Sequence, residues 1–88
     1  MPQKRILLVD DYPDALEIWG LYLRSLGYDV DTAEDGLSAV ADAHRLHPDI
    51  IVLDFRCDGE IMARLKAEPA TARIPVIALT ELGPDAKE

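Results

Sequence analysis

The sequence is short of cysteine, of basic residues and of long apolar runs, and each shortage removes a class of protein. A single cysteine, Cys57, excludes a framework of intramolecular disulfides and suits a reducing cytoplasm. Only 9 Lys and Arg stand against 17 Asp and Glu, a formal charge of −8. That balance argues against a nucleic-acid or anionic-membrane surface and favours cations or basic patches as partners. The first apolar run, Ile6–Val9 behind Lys4 and Arg5, is far shorter than a signal-peptide core or a membrane span. No low-complexity tract occurs, and 49% hydrophobic with 30% charged residues is an ordinary globular composition. The 88 residues make one small domain that buries roughly 60–65% of its unfolded surface, so any uncovered apolar face matters.

What is present alternates between two periods. "ILLV" (Ile6–Val9) is continuous and bounded by charge, as a strand buried on both faces would be. Pro13 fits the first turn of a helix, with Asp14 and Glu17 favourable to its dipole. Ala15, Leu16, Trp19, Tyr22, Leu23 and Leu26 recur at helical spacing up to a stop at Gly27. Gly20, inside that helix, costs roughly 1 kcal/mol against alanine. "YDVDTAED" alternates at Tyr28, Val30 and Thr32 and reads as a half-exposed edge strand. Asp35–Gly36 turns the chain into a second helix, Leu37 to about His47, with Leu37, Val40, Ala43 and Leu46 inward and Pro48 beyond its end. "DIIVLD" is a third strand and a shorter helix follows around Glu60–Ala67. "PATARIP" then connects to a fourth strand, Val76–Leu79, that ends at Thr80.

Strand–helix alternation with short connections predicts an α/β fold, a parallel sheet with helices on both faces. Three strand ends then share one edge: Asp10 and Asp11 after the first strand, Asp54 after the third, Thr80 after the fourth. In open α/β sheets the crevice at the carboxyl ends of the strands is where function sits. Clustered carboxylates repel unless a cation neutralises them. Mg²⁺, held by one or two carboxylates and several waters, leaves positions for phosphate oxygens. One carboxylate can then act as nucleophile toward a phosphoryl group, with a hydroxyl such as that of Thr80 binding a phosphoryl oxygen.

These segments, "ILLVDDYPDALE", "GYDVDTAEDGLSAV", "PDIIVLDF" and "IPVIALT", closely resemble the receiver domain of two-component response regulators from about Lys4 to Thr80. The resemblance implies a flavodoxin-like fold in the cytoplasm. It implies Mg²⁺ on Asp10 and Asp11, phosphate accepted by Asp54 from a sensor histidine kinase or phosphotransfer protein, the Arg56 backbone carbonyl as a further metal ligand, and Thr80 as the phosphoryl-contacting hydroxyl. Such a protein signals rather than turning over a substrate.

Two departures accompany the match. "FRCDGEIMARLK" lacks the Met-Pro element of the family and is shorter by roughly one helical turn, so the loop after Asp54 is expected to be altered and the third helix shortened or shifted. The sequence runs to Glu88, where the family's fourth helix would begin. The expectation is therefore an incomplete receiver of about four strands and three helices, lacking the fifth strand, its lysine and the fifth helix. Val76–Leu79 would then be an open sheet edge prone to self-association, and apolar sheet surface beside the first helix would lose its cover.

Two other functional classes stay in view. A truncated, non-phosphorylated interaction or dimerisation module is favoured by the missing lysine and shortened loop. A phosphatase of the haloacid dehalogenase type expects Asp-x-Asp after the first strand, where "VDDYPD" offers adjacent acids. His44 and His47 read as surface residues near a helix end, Cys57 as a loop residue, and Trp19 and Tyr22 as packing. Asp10 and Asp11 also have a blander role open to them, capping the first helix.

Overall fold

Arg5–Val9 forms β1, and its four buried residues Ile6 to Val9 take both faces of the sheet at once. In the computed structural model, residues 4–54 and 59–79 are described, with backbone alone for residues 54, 59, 60, 78 and 79. The remaining elements are α1 (Pro13–Ser25), β2 (Asp29–Ala33), α2 (Gly36–Leu46), β3 (Ile50–Asp54), α3 (Gly59–Ala67), α4 (Pro69–Ala72) and β4 (Val76–Leu79). All strand pairs are parallel, in the order β2-β1-β3-β4. The predicted α/β architecture, helices on both faces of a parallel sheet, is what forms. The third helix is short, as expected.

Strand alternation divides the interior. Leu7, Val9, Ile51 and Leu53 face α2 and α3 and join Ala39, Ala43, Ile61, Leu65 and Ile74 in the main core. Leu8 and Val30 face the other way, onto Leu16 of α1, with Leu23 and Val52 at the margin. Among the described residues the first core is the larger, and the second is small and open on one side.

Helix ends follow local chemistry. Pro13 opens α1 at a position where a missing N–H costs nothing. Gly27, at φ +99°, ends it in the left-handed region that glycine enters freely. The Asp35 carboxylate caps α2 by accepting from the Ser38 N–H at 2.8 Å. His47, at φ 49°, closes it just before Pro48.

Three expectations are corrected. Leu37 does not point inward: it is 74% exposed, while Ala39 and Ala43 are buried and Val40 and Leu46 are partly so. At 100° per residue Leu37 lies well off that stripe. Trp19, Tyr22 and Leu26 do not pack into the core either. Leu16, Gly20 and Leu23, spaced i, i+4, i+7, take the inward stripe, and the other three remain exposed on its flank. "PATARIP" is not a plain connection, because it contains the single turn α4.

That turn has a specific cause. Leu65 O would ordinarily accept from the N–H of residue 69, but Pro69 has none. The fully buried Thr71 hydroxyl donates to Leu65 O at 2.6 Å instead. Lys66 Nζ lies 3.3 Å from both Ala72 O and Ile74 O, tying the far end of the turn. His44, read as a surface residue, is partly exposed and pairs through Nε2 with Glu68 Oε1 at 3.0 Å, linking α2 to the same turn.

Candidate active site

The chain passes from β1 outward to β2 and then crosses back past β1 to β3, so the winding reverses between β1 and β3. A reversal of that kind opens a crevice at the carboxyl ends of the two strands. Asp10 follows Val9 and Asp54 follows Leu53, and Val9 and Leu53 are paired. Strands in a sheet lie about 4.7–4.9 Å apart, which sets the two acids on adjacent strands at one level. Asp54 in turn pairs with Leu79, the residue before Thr80.

Asp10 is 7% exposed, which is unusual for a carboxylate. Its backbone N–H donates to Ala33 O at 3.1 Å, carrying the β1–β2 ladder one residue past the strand. Its Oδ1 accepts from the Tyr12 N–H at 2.9 Å. This side-chain turn converts strand into helix within two residues and holds the carboxylate at the crevice. The N-cap of α1 is Tyr12, with extended backbone and no side-chain cap bond, so simple helix capping is not what Asp10 does. Asp11 is exposed beside it.

The contribution of the Tyr12 N–H was not anticipated, although an aspartate two residues ahead of an X-Pro helix start is a recognisable signal for such a turn. Arg56, Cys57 and Thr80 lie outside the described residues, as does the side chain of Asp54. Among the described residues no three His, Cys, Asp or Glu side chains converge as a metal group. Asp10 and Asp11 alone are hard oxygen donors of opposite accessibility, one buried and fixed, one open to water. That donor set fits Mg²⁺, which binds through one or two carboxylates and keeps most of its waters.

A family model described as the response regulator receiver domain matches residues 6–87. The chain belongs to this family. Among curated relatives, the receiver is 42% identical over 83 residues to the DNA-binding dual master transcriptional regulator RpaA of a Synechocystis strain, covering 90% of this chain and 34% of that protein. It is 40% identical over 82 residues to the response regulator PleD of Caulobacter vibrioides, covering 89% of this chain and 18% of that one. It therefore spans about a third or less of these relatives.

Solved structures agree on the fold. The receiver domain of the sensor histidine kinase PA1611 from Pseudomonas aeruginosa, which has a magnesium ion coordinated in its active-site cleft, superimposes with a TM-score of 0.83. The two share 38% identity over 90% of this chain and 68% of that one. Vibrio cholerae chemotaxis protein CheY4 gives 0.85 at 27% identity, over 98% of this chain and 76% of that one. The receiver thus has the expected flavodoxin-like fold. No described helix is long and apolar enough to cross a membrane.

Proposed function

We propose that this receiver accepts a phosphoryl group on Asp54 from the phosphohistidine of a sensor histidine kinase or phosphotransfer protein in the cytoplasm. Its role is then to signal, not to turn over a substrate. The placement of the buried, hydrogen-bonded Asp10 level with Asp54 on the adjacent strand, at the reversal of winding, supports this reading. A carboxylate oxygen of Asp54 attacks phosphorus as the phosphorus–nitrogen bond breaks. The electron pair leaves with the imidazole, and an acyl phosphate remains.

Asp10 and Asp11, with Asp54 and the Arg56 carbonyl, would hold Mg²⁺, as the magnesium-bound relative suggests. When bound, the ion supplies positive charge against the phosphoryl oxygens. The Thr80 hydroxyl donates to one of those oxygens. Asp10 contributes rigidity, because its carboxylate is already oriented by the Tyr12 N–H and needs no reorganisation when the ion arrives.

Intact mass after incubation with Mg²⁺ and a small acyl-phosphate donor tests the assignment. The expected result is one added phosphoryl group on the wild type and none on Asp54→Ala. If the wild type gains nothing while remaining folded, the phosphoacceptor reading fails.

A second reading, a non-phosphorylated interaction or dimerisation module, draws on β4. It borders the sheet and pairs on one side only among the described residues. An open edge of this kind can add a strand from another copy, and self-association there would survive Asp54→Ala unchanged.

A further inference from the structure

Parallel strands bond each neighbour through alternate residues. The Asp29 N–H donates to Lys4 O at 3.0 Å, and Ala33 O accepts from the Asp10 N–H at 3.1 Å. Asp29, Asp31 and Ala33 therefore turn their backbone groups toward β1, with which each is in register. Val30 and Thr32 turn theirs outward, where β2 borders the sheet among the described residues. Such a row of outward N–H and C=O groups is a template on which another extended chain can pair.

One of these groups is taken by a side chain. Arg24, in the last turn of α1, donates from its guanidinium to Val30 O at 3.0 Å. The side chain runs back along its own helix, and the guanidinium stands over Gly20. A Cβ at that glycine would meet Nη1 at 3.4 Å and Cζ at 3.8 Å. Alanine would touch the guanidinium at an ordinary contact distance, but a longer side chain would take its place. The glycine that weakens the middle of α1 thus leaves the room in which Arg24 reaches the edge. Two shallow hollows follow that edge, one of about 280 Å³ beside Asp29–Asp31 and one of about 230 Å³ beside Thr32 and Glu34, and Arg24 lines both.

We infer that Arg24 is a strap across β2 that keeps this edge closed to strand addition. An incoming strand would lie about 4.8 Å from β2 and would need Val30 O as acceptor for one of its own N–H groups. The guanidinium already occupies that acceptor and the space the new backbone would take. Displacing it costs a charge-assisted hydrogen bond. Leaving it beneath an added strand would bury a charge. Two copies of β2 brought together would also set Asp29 and Asp31 against like charges. Arg5, 3.6 Å from Asp31, offsets part of that repulsion, which leaves the strap the rest. The role is independent of Asp54 and of β4, at the opposite border of the sheet.

Sedimentation of the purified chain tests this with Arg24→Met, Thr32→Pro and the two combined. Methionine keeps an apolar stem and removes both donor and charge. Thr32 is exposed, and proline there deletes an outward N–H without touching the β1 ladder, as edge strands tolerate. Arg24→Met should raise self-association more than about tenfold over wild type. The double variant should return to the level of Thr32→Pro alone, although proline cannot restore the bond that Arg24 made. Hydrogen exchange gives a second readout that needs no proline variant to fold. In Arg24→Met the Val30 and Thr32 amides should gain protection as concentration rises. An Arg24→Met chain that associates no more than wild type overturns the proposal. Association that leaves those two amides exchanging freely, the outcome for unfolding or β4 pairing, overturns it equally.

Discussion

Asp10 and Asp54 leave neighbouring strands at the same level, each the residue after the paired Val9 and Leu53. The cluster is assembled by register alone, with no contribution from long loops. Register in a two-sided core is strongly enforced, because a one-residue slip would turn Leu7, Val9, Ile51 and Leu53 out of the main core. The same apolar runs that stabilise the sheet therefore fix the spacing of the acids.

Magnesium should stabilise the fold through Asp11. A ligand that binds only the native state at tenfold excess over its Kd adds about 1.4 kcal/mol, which for a chain this size raises Tm by several degrees, at roughly 4–8 °C per kcal/mol. Asp11 is exposed, so Asp11→Asn should fold normally and lose most of that gain. Without the ion the variant should be no less stable than wild type, since a like charge has left the cluster. Thermal melts with Mg²⁺, and with KCl at matched ionic strength, read both effects. An equal magnesium response in the two proteins removes Asp11 from the site.

The Thr71 hydroxyl should be worth more than a surface hydrogen bond. It is fully buried and supplies Leu65 O with the donor that Pro69 lacks. Thr71→Val keeps the shape and strands a carbonyl, at a cost of about 1–3 kcal/mol. Thr71→Ser, which keeps the hydroxyl, should recover most of this. Urea unfolding distinguishes them, and equal losses in both variants would mean that the methyl group matters and the hydroxyl does not.

Two glycines should respond to alanine in opposite directions. At Gly20 an added Cβ would come no closer than 3.4 Å, and the atom it meets is the flexible end of Arg24, so Gly20→Ala should gain up to about 1 kcal/mol of helix propensity. At Gly36 the Cβ would stand 2.7 Å from both Cγ1 and Cδ1 of Ile61. That contact is the seam between α2 and α3, and overpacking it should cost about 1–3 kcal/mol. Midpoints of denaturant unfolding on either side of wild type are the expected result; shifts of the same sign would contradict the packing described.

How much of this was legible beforehand depends on how local the cause is. Ile6–Val9 read as a strand because a continuous apolar run bounded by charge needs two buried faces. Asp35–Gly36 read as a helix start because the cap lies within three residues of its target. Asp10, Asp11 and Asp54 read as a cluster because acids terminate apolar strands in a parallel sheet. The turn at α4 was not readable, since it rests on a hydroxyl six residues from the carbonyl it satisfies. Trp19, Tyr22 and Leu26 were misplaced for a related reason. Helical spacing identifies an apolar stripe, but which part of a wide stripe is covered depends on what lies opposite.

Asp10 ties the chemistry to the fold, and two substitutions separate its roles. Asp10→Asn retains an Oδ1 that can accept from the Tyr12 N–H and removes the negative charge. Asp10→Ala removes both and leaves the turn into α1 without its side-chain bond. The asparagine variant should therefore be the more stable of the two by about 0.5–1.5 kcal/mol, the net worth of a part-buried hydrogen bond. Both should lose the magnesium-induced rise in Tm, because an amide oxygen carries no charge to offer the cation. Sites that crowd like charges are commonly stabilised when a charge is deleted, at the expense of their activity. If Asp10→Asn keeps the full magnesium response, Asp10 is a structural turn residue and the cation is held by Asp11 and its neighbours without it.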